Sequence, residues 1–359
     1  MTATIHLVAG ARPNFMKVGP LFHALSKTNW ANPIIVHTGQ HQDRLMSDVF
    51  LSDLGLPDPH INLEAGSGTH AETTAAVMVA YERLCVKAPP DYVVVVGDVN
   101  STVAAALTAK KLLLPVAHLE AGLRSFDRSM PEEINRIVTD AISDLLWTPS
   151  EEAGKNLEGE GIQIERIACI GNIMIDAYTM LESKIRLADT VSRFGLSRRG
   201  YGVVTLHRPF NVDDPEKLAG IMGELARLAD EFPLVFPVHP RTRKALDQTS
   251  ILPSGVMLVE PMGYVQFMNL VENAVLVITD SGGIQEETSY LGIPCLTLRP
   301  STERPVTISK GTNRLIHSGE IVRAATELVD RPRIRPSIPL WDGQTALRAT
   351  ESLRQHLKV

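Results

Sequence analysis

Short, apolar, largely β-branched runs alternate with segments of helical pattern along almost the whole chain, and few folds can bury such a series. Ile5–Ala9, Pro33–His37, Tyr92–Gly97, Val116–Leu119 and Leu145–Thr148 read as strands, and the stretches after Arg12, Gln40, Ala71, Ser101 and Pro131 read as helices. Near Gly171-Asn172 a second series begins, with Val203–Leu206, Val235–Val238, Met257–Val259, Ala274–Thr279 and Cys295–Leu298 as its strands. Runs that are apolar on nearly every residue need cover on both faces, the situation of a parallel strand in a βα sheet. The expectation is an α/β protein of two doubly wound domains, residues 1–171 and 172–343, with a cleft between them. The last helical segment, Gln344–Leu357, can pack on either domain. With 44% hydrophobic side chains among 359 residues, the chain is long enough for two ordinary cores.

The segment Val275–Thr288, VLVITDSGGIQEET, joins one of these strands to a helix start. Ser281-Gly282-Gly283 makes the turn; its glycines let backbone approach a ligand, and the free N–H groups and dipole of the following helix favour a diphosphate. Glu287 comes about one turn later, where a carboxylate can accept hydrogen bonds from a sugar diol. A Ser-Gly-Gly turn alone also occurs without any ligand. Here Thr302-Glu303-Arg304-Pro305 follows the next strand, so Arg304 can face the same anion.

In the first series, Tyr92–Val96 delivers Asp98 and Pro115–Leu119 delivers Glu120, two carboxylates leaving neighbouring strands at one edge. Such a pair suits acid/base chemistry if the two environments differ, although Asp98 could instead cap the helix near Ser101. Glu132 and Glu133 follow Pro131 at a helix start, where the dipole alone accounts for acidic residues. Arg12 and Lys17 follow the first strand and its glycine as a candidate anion clamp. His207-Arg208 and His239-Pro240-Arg241 end two strands of the second series.

Several chemistries lack their motifs. His37 and His41 have a zinc-like spacing, but Thr38-Gly39-Gln40 between them reads as a turn, and no Cys-x-x-Cys or His-Glu-x-x-His is present, so no metal is expected. Gly66-Ser67-Gly68-Thr69-His70-Ala71 matches G-x-G-x-x-A, yet it follows no clear strand and lies outside the first βα unit. Neither a Walker A sequence nor a Gly-x-Ser-x-Gly elbow occurs, and no cofactor is expected. A net charge of −6 argues against a nucleic-acid surface and requires that any anionic ligand meet locally placed cations. Cys85, Cys169 and Cys295 are odd in number and set among apolar neighbours, as suits buried thiols in a reducing cytoplasm. The N-terminal apolar run is too short for a signal peptide or a membrane span, which makes a cytoplasmic protein without membrane contact the expectation.

Taken in order, GARPNFMKVGPL, TGQHQD, VVGDVNST, HLEAGLRS, PEEINR, GNIMIDA, TLHRP, PVHPR, TDSGGIQEET and TERP resemble the motifs of the non-hydrolysing UDP-N-acetylglucosamine 2-epimerases, from Gly10 to about Arg314. The resemblance implies the GT-B fold, two Rossmann-like domains with a UDP-sugar in the interdomain cleft, and a homodimer. It implies reversible epimerisation at carbon 2 between UDP-N-acetylglucosamine and UDP-N-acetylmannosamine, by elimination of UDP to a 2-acetamidoglucal and re-addition. Under this resemblance Asp98, Glu120 and Glu132 are the acid/base carboxylates, and His207 serves the leaving diphosphate. Arg12, Lys17, Arg136, Ser281, Gly282, Gly283, Glu287 and Arg304 belong to the substrate site, with Phe267 beside the uracil. A hydrolysing variant, an epimerase of a 2,3-diacetamido uronic acid and a GT-B glycosyltransferase stay open as alternatives.

The chain departs from the family pattern at named positions. Many relatives have His-Arg-Arg-Glu where this chain has His207-Arg208-Pro209-Phe210, and the acidic residue there helps to hold a second, regulatory UDP-sugar in some members. Gln40 and His41 fit the regulatory pattern, but Asp43 replaces a glutamine, and Asn14 replaces a common glutamate. The expected consequence is an enzyme whose catalytic positions are kept and whose regulatory ones are not.

Overall fold

A computed structural model describes residues 2–39, 51–66, 68–249 and 254–358. It divides into two compact units, Met1–Leu181 with Pro339–Val359, and Glu182–Ile338.

The first unit is built on a parallel sheet of β1 (Ala3–Ala9), β2 (Ala31–His37), β3 (Ile61–Asn62), β4 (Tyr92–Val96), β5 (Val116–Leu119), β6 (Leu145–Thr148) and β7 (Ile167–Cys169), in the spatial order β3-β2-β1-β4-β5-β6-β7. β4, YVVVV, is buried along its whole length, as a β-branched run at the centre of a doubly covered sheet should be. Helices Arg12–Ser26, His70–Lys87, Asn100–Lys111, Pro131–Ile142 and Glu151–Gly159 connect the strands. The strand order reverses between β1 and β4, and the carboxyl ends beside that reversal are where ligands bind in open α/β sheets.

The second unit repeats the plan with β8 (Gly202–Thr205), β9 (Leu234–Pro237), β10 (Val256–Val259), β11 (Leu276–Thr279), β12 (Cys295–Thr297) and β13 (Asn313–Leu315), ordered β10-β9-β8-β11-β12-β13. Its reversal lies between β8 and β11, with Thr205 opposite Thr279. Strand residues Val204, Leu234, Phe236, Leu276 and Ile278 pack with Leu218, Ile221 and Leu225 of the helix Pro215–Ala229 into one core.

Two features differ from the sequence reading, and a third decides a packing that it left open. The units divide within the helix Ile173–Leu187, not at 171, because the start of that helix is anchored in the first unit: Asp176 accepts the Thr345 and Ala346 N–H groups at 3.1 and 2.8 Å. The terminal helix Thr345–Leu357 belongs to the first unit, where Trp147 Nε1 donates to Ser352 Oγ at 3.1 Å. Cys85 and Cys295 are buried, but Cys169 lies on the edge strand β7 and is exposed. Among the described residues no helix is long and apolar enough to cross a membrane, and no three His, Cys, Asp or Glu side chains gather as a metal site.

Candidate active site

In the first unit Val96 of β4 pairs with Leu119 of β5, so Asp98 and Glu120 leave the sheet at nearly the same level. Gly97 between them has φ +66°, and a Cβ there would lie 2.9 Å from Lys17 Nζ; only glycine allows both the turn and the approach of that ammonium. Lys17 reaches in from the helix after β1 and pairs with Glu120 Oε2. Lys17, expected with Arg12 to form an anion clamp, is thus partnered by a carboxylate of its own chain. Arg12's side chain lies outside the described residues. Asn14 holds the turn after β1 by accepting the Gly10 and Ala11 N–H groups at 3.0 and 2.8 Å.

Glu120 itself sits at φ +71°, a left-handed conformation that costs a non-glycine residue on the order of 1–3 kcal/mol. Its second oxygen, Oε1, is buried with no hydrogen-bond partner among the described residues. A buried acceptor left over on a strained turn is more easily explained by a ligand than by stability.

Asp98 does not cap the following helix, whose N-cap is Val99. Its carboxylate pairs with Arg136 Nη1 instead. Arg136 also grips Glu133, through Nη2 at 2.7 Å and Nε at 3.1 Å. Burial alone would raise the Glu133 carboxyl, but the Ser125 and Phe126 N–H groups and Arg136 outweigh it and hold it low. The two acids of PEEINR thus have different surroundings: Glu133 is buried and tied to the backbone, whereas Glu132, one position earlier, stays half-buried at the helix start.

The sequence reading missed the device beneath these strand ends. His118, buried in β5, faces Asp140 Oδ1 through Nδ1 at 2.6 Å and the Gly97 carbonyl through Nε2 at 2.8 Å. Each ring nitrogen thus faces a buried oxygen acceptor. Asp140 also accepts the Gly122 N–H at 3.1 Å and pairs with Arg124 at 2.7 Å. Burial would raise the Asp140 carboxyl; the charges and hydrogen bonds of His118 and Arg124 outweigh it and hold it low. The signal was available, since a histidine inside an apolar strand needs buried partners.

In the second unit β8 is followed by Leu206-His207 and β11 by Asp280-Ser281. Asp280 is buried and accepts the backbone N–H groups of His207 and Arg208, at 3.1 and 3.0 Å, and Asn211 Nδ2 at 3.1 Å. It also fixes His207 Nδ1 at 3.0 Å. Burial pushes Asp280 up, but these donors prevail and hold it low. Asp280 is thus a positioning residue the sequence reading did not single out, although it stands inside TDSGG.

Ser281 caps the helix Gly282–Leu291 by position, without a side-chain cap. A Cβ on Gly282 would lie 2.5 Å from Arg304 Nη1, so this glycine makes room for the guanidinium over the helix start, while Arg304 Nε pairs with Glu286 at 2.9 Å. Gly283 is half-buried beside it. Glu287 is buried and accepts the Tyr264 hydroxyl at 2.6 Å. Burial, with the neighbouring Glu286 charge, pushes its carboxyl up to about 8 despite that hydrogen bond. Phe267 lies half-buried, three residues beyond Tyr264 on the same helix.

Other sequence candidates resolve differently. Thr69 and Glu72 form a capping box for the helix His70–Lys87, so the G-x-G-x-x-A match marks a helix start, with Ser67 outside the described residues. Gln40, His41 and Asp43 also lie outside them. Phe210 is exposed, with Lys217 Nζ 5.0 Å from its ring centroid. The His239 ring lies 5.8 Å from that of His207.

Comparison with known proteins covers both units. The family model described as UDP-N-acetylglucosamine 2-epimerase matches residues 23–354. The UDP-N-acetylglucosamine 2-epimerase of Methanocaldococcus jannaschii is 41% identical over 364 residues, 97% of this chain and 98% of that protein. The UDP-2,3-diacetamido-2,3-dideoxy-D-glucuronate 2-epimerase of Pseudomonas aeruginosa is 40% identical over 313 residues, 86% and 87% of the two chains. The crystal structure of the Methanocaldococcus enzyme in complex with UDP-GlcNAc and UDP superposes with a TM-score of 0.90, covering 98% of this chain and 99% of that one at 39% identity. A calicheamicin glycosyltransferase, at 14% identity and a TM-score of 0.58, shares the GT-B fold alone.

Proposed function

The chain belongs to the UDP-N-acetylglucosamine 2-epimerase family, and from that premise we propose that it interconverts UDP-N-acetylglucosamine and UDP-N-acetylmannosamine without metal or nicotinamide cofactor. The observation that carries this reading is the pair of register-adjacent strand ends bearing Asp98 and Glu120, each held by a cation, with one Glu120 oxygen left over.

Carbon 2 of the sugar has no adjacent carbonyl to acidify its proton, so the departure of UDP from carbon 1 must share the work. A carboxylate takes the carbon-2 proton, the C–H electron pair becomes the carbon 1–carbon 2 double bond, and the bond from carbon 1 to the diphosphate oxygen breaks. The products of this half-reaction are UDP and 2-acetamidoglucal. In the return step a diphosphate oxygen attacks carbon 1, and a proton is delivered to carbon 2 from the opposite face. Asp98, Glu120 and Glu132 are the groups for these transfers. Lys17 and Arg136 orient Glu120 and Asp98.

His207 serves the leaving group: Nδ1 is taken by Asp280, so Nε2 is the nitrogen that donates to the diphosphate. The helix start at Ser281-Gly282-Gly283 with Arg304 holds the phosphates, Glu287 holds the ribose diol, and Phe267 adjoins the uracil. The Pseudomonas relative favours a second reading, in which the sugar is a 2,3-diacetamido uronic acid and the chemistry at carbon 2 is the same. Incubating the pure protein with each UDP-sugar alone tests both. Appearance of the 2-epimer without an acceptor supports the epimerase, the preferred sugar decides between the two readings, and no reaction until an acceptor is added would instead indicate a glycosyltransferase.

A further inference from the structure

The chain carries a net charge of −6, yet one cavity of the second unit is walled by arginines. Arg186, Arg198, Arg199, Arg333 and Arg335 line a space of about 490 Å³, and Glu272 is the one carboxylate among its described lining residues. Arg186 draws on Glu272 at 3.4 Å and on Glu182 at 2.7 Å, which leaves an excess of positive charge on the other guanidiniums.

The fold fixes where these groups stand. Arg198 Nε donates to Asn273 Oδ1 at 2.6 Å, and Asn273 is itself oriented by donating to the Asn269 carbonyl at 2.8 Å. Arg333 donates to the carbonyls of Leu291 and Glu272 at 3.2 and 2.8 Å. Arg335 donates to the Tyr290 carbonyl at 2.8 Å, with its guanidinium 3.7 Å from the Tyr290 ring centroid. The carbonyls of Tyr290 and Leu291 end the helix Gly282–Leu291, so capping and the helix dipole account for Arg333 and Arg335.

They do not account for Arg198 and Arg199. Arg199 has φ +60°, a left-handed conformation in which glycine is the relaxed choice, and its N–H is tied to the Asn273 carbonyl at 2.7 Å. A strained backbone thus presents a further cation to a cavity already rich in them. Arg198 and Arg335, tethered through Nε, present terminal nitrogens suited to bidentate contact with oxyanions. The volume lies in the range of small-molecule sites, and a singly charged anion would leave most of the excess unmet.

We propose that this cavity binds a condensed phosphate, the diphosphate group of either inorganic pyrophosphate or a nucleotide. The site is at the far end of the helix from Ser281, and the proposal does not rest on the epimerase reading. The test is calorimetric titration of the full-length protein at low salt with inorganic pyrophosphate and, separately, ADP, with saturating UDP present to fill the nucleotide site. Binding should weaken steeply with added NaCl. Arg198→Gln and Arg199→Gly should each weaken it by at least about tenfold, the loss of one charged hydrogen-bonding group, while turnover of the UDP-sugar is unchanged. Arg199→Gly also relieves the backbone, so weaker binding by an equally or more stable protein separates lost contact from lost folding. Tighter binding of ADP assigns a nucleotide, and binding of pyrophosphate at least as tight assigns the inorganic ion. Absence of binding by both probes, or unchanged affinity in both variants, would overturn the proposal.

Discussion

His118 and Asp140 form a buried hydrogen-bonded pair at 2.6 Å that ties together the two strand ends bearing the candidate catalytic carboxylates. Through its other nitrogen His118 holds the Gly97 carbonyl next to Asp98, and through its second oxygen Asp140 holds the Gly122 N–H just beyond Glu120. Asp140→Asn removes the buried carboxylate that faces both His118 and Arg124 and should cost about 3–5 kcal/mol in urea unfolding, whereas after His118→Gln, Asp140 keeps Arg124 and the loss should be smaller. Asp140 is held below its unfolded value of about 3.9, so it contributes stability above that pH and loses it as the pH falls through the folded value. Asp140→Asn should accordingly show a smaller loss of stability on acidification below about pH 4 than the parent protein. An acid unfolding curve of unchanged shape would remove Asp140 from this role.

The carboxylates themselves should separate from their neighbours by kinetics. Asp98→Asn, Glu120→Gln and Glu132→Gln are each expected to lower turnover by on the order of 10²-fold or more, as for a positioned acid or base, with little change in folding. Glu133→Gln should instead lower stability, because Glu133 accepts the Ser125 and Phe126 N–H groups and pairs with Arg136. Near-normal turnover in any one of the first three takes that residue out of the mechanism.

Glu287 makes a pH-dependent case of opposite sign. Its carboxyl is pushed up to about 8, against about 4.3 in an unfolded chain, so the folded protein holds the proton more tightly between those values. That contribution to stability is full below about pH 4.3 and is lost as the pH rises through about 8. Glu287→Gln should flatten the decline in urea stability between pH 6 and pH 9. It should also weaken UDP binding by a factor on the order of 10, the loss of one hydrogen-bonding carboxyl oxygen, measured by titration calorimetry.

Phe210 sets an expectation about regulation. It is exposed, at the position where the family motif is expected to bear an acidic residue, and its ring cannot accept a conventional hydrogen bond from a second UDP-sugar. UDP-N-acetylmannosamine freed of the gluco isomer should therefore react as sole substrate with hyperbolic kinetics. A lag abolished by traces of UDP-N-acetylglucosamine would show that an activator site survives.

The sheets were largely legible because their central strands are continuous apolar runs: Val116–Leu119 and Leu145–Thr148 match their expected bounds. Ile61–Asn62, Ile167–Cys169 and Asn313–Leu315 were not anticipated, since each is an edge strand of two or three residues and too short to carry a pattern. The same limit applies at the site. Asp98 and Glu120 could be found because they end strands, whereas the partnership of Lys17 with Glu120 spans 103 positions and depends on Gly97 leaving room for the ammonium. Asp140, in the last turn of a helix, carries no sequence signal of its own, because its role depends on partners brought to it in space.

Proton NMR of the protein with UDP-N-acetylglucosamine in heavy water bears most directly on the proposed chemistry. If a carboxylate removes the carbon-2 proton and solvent resupplies it on the other face, UDP-N-acetylmannosamine should form with deuterium at carbon 2. Product that retains its original hydrogen at carbon 2 would contradict proton abstraction there, whatever the rate.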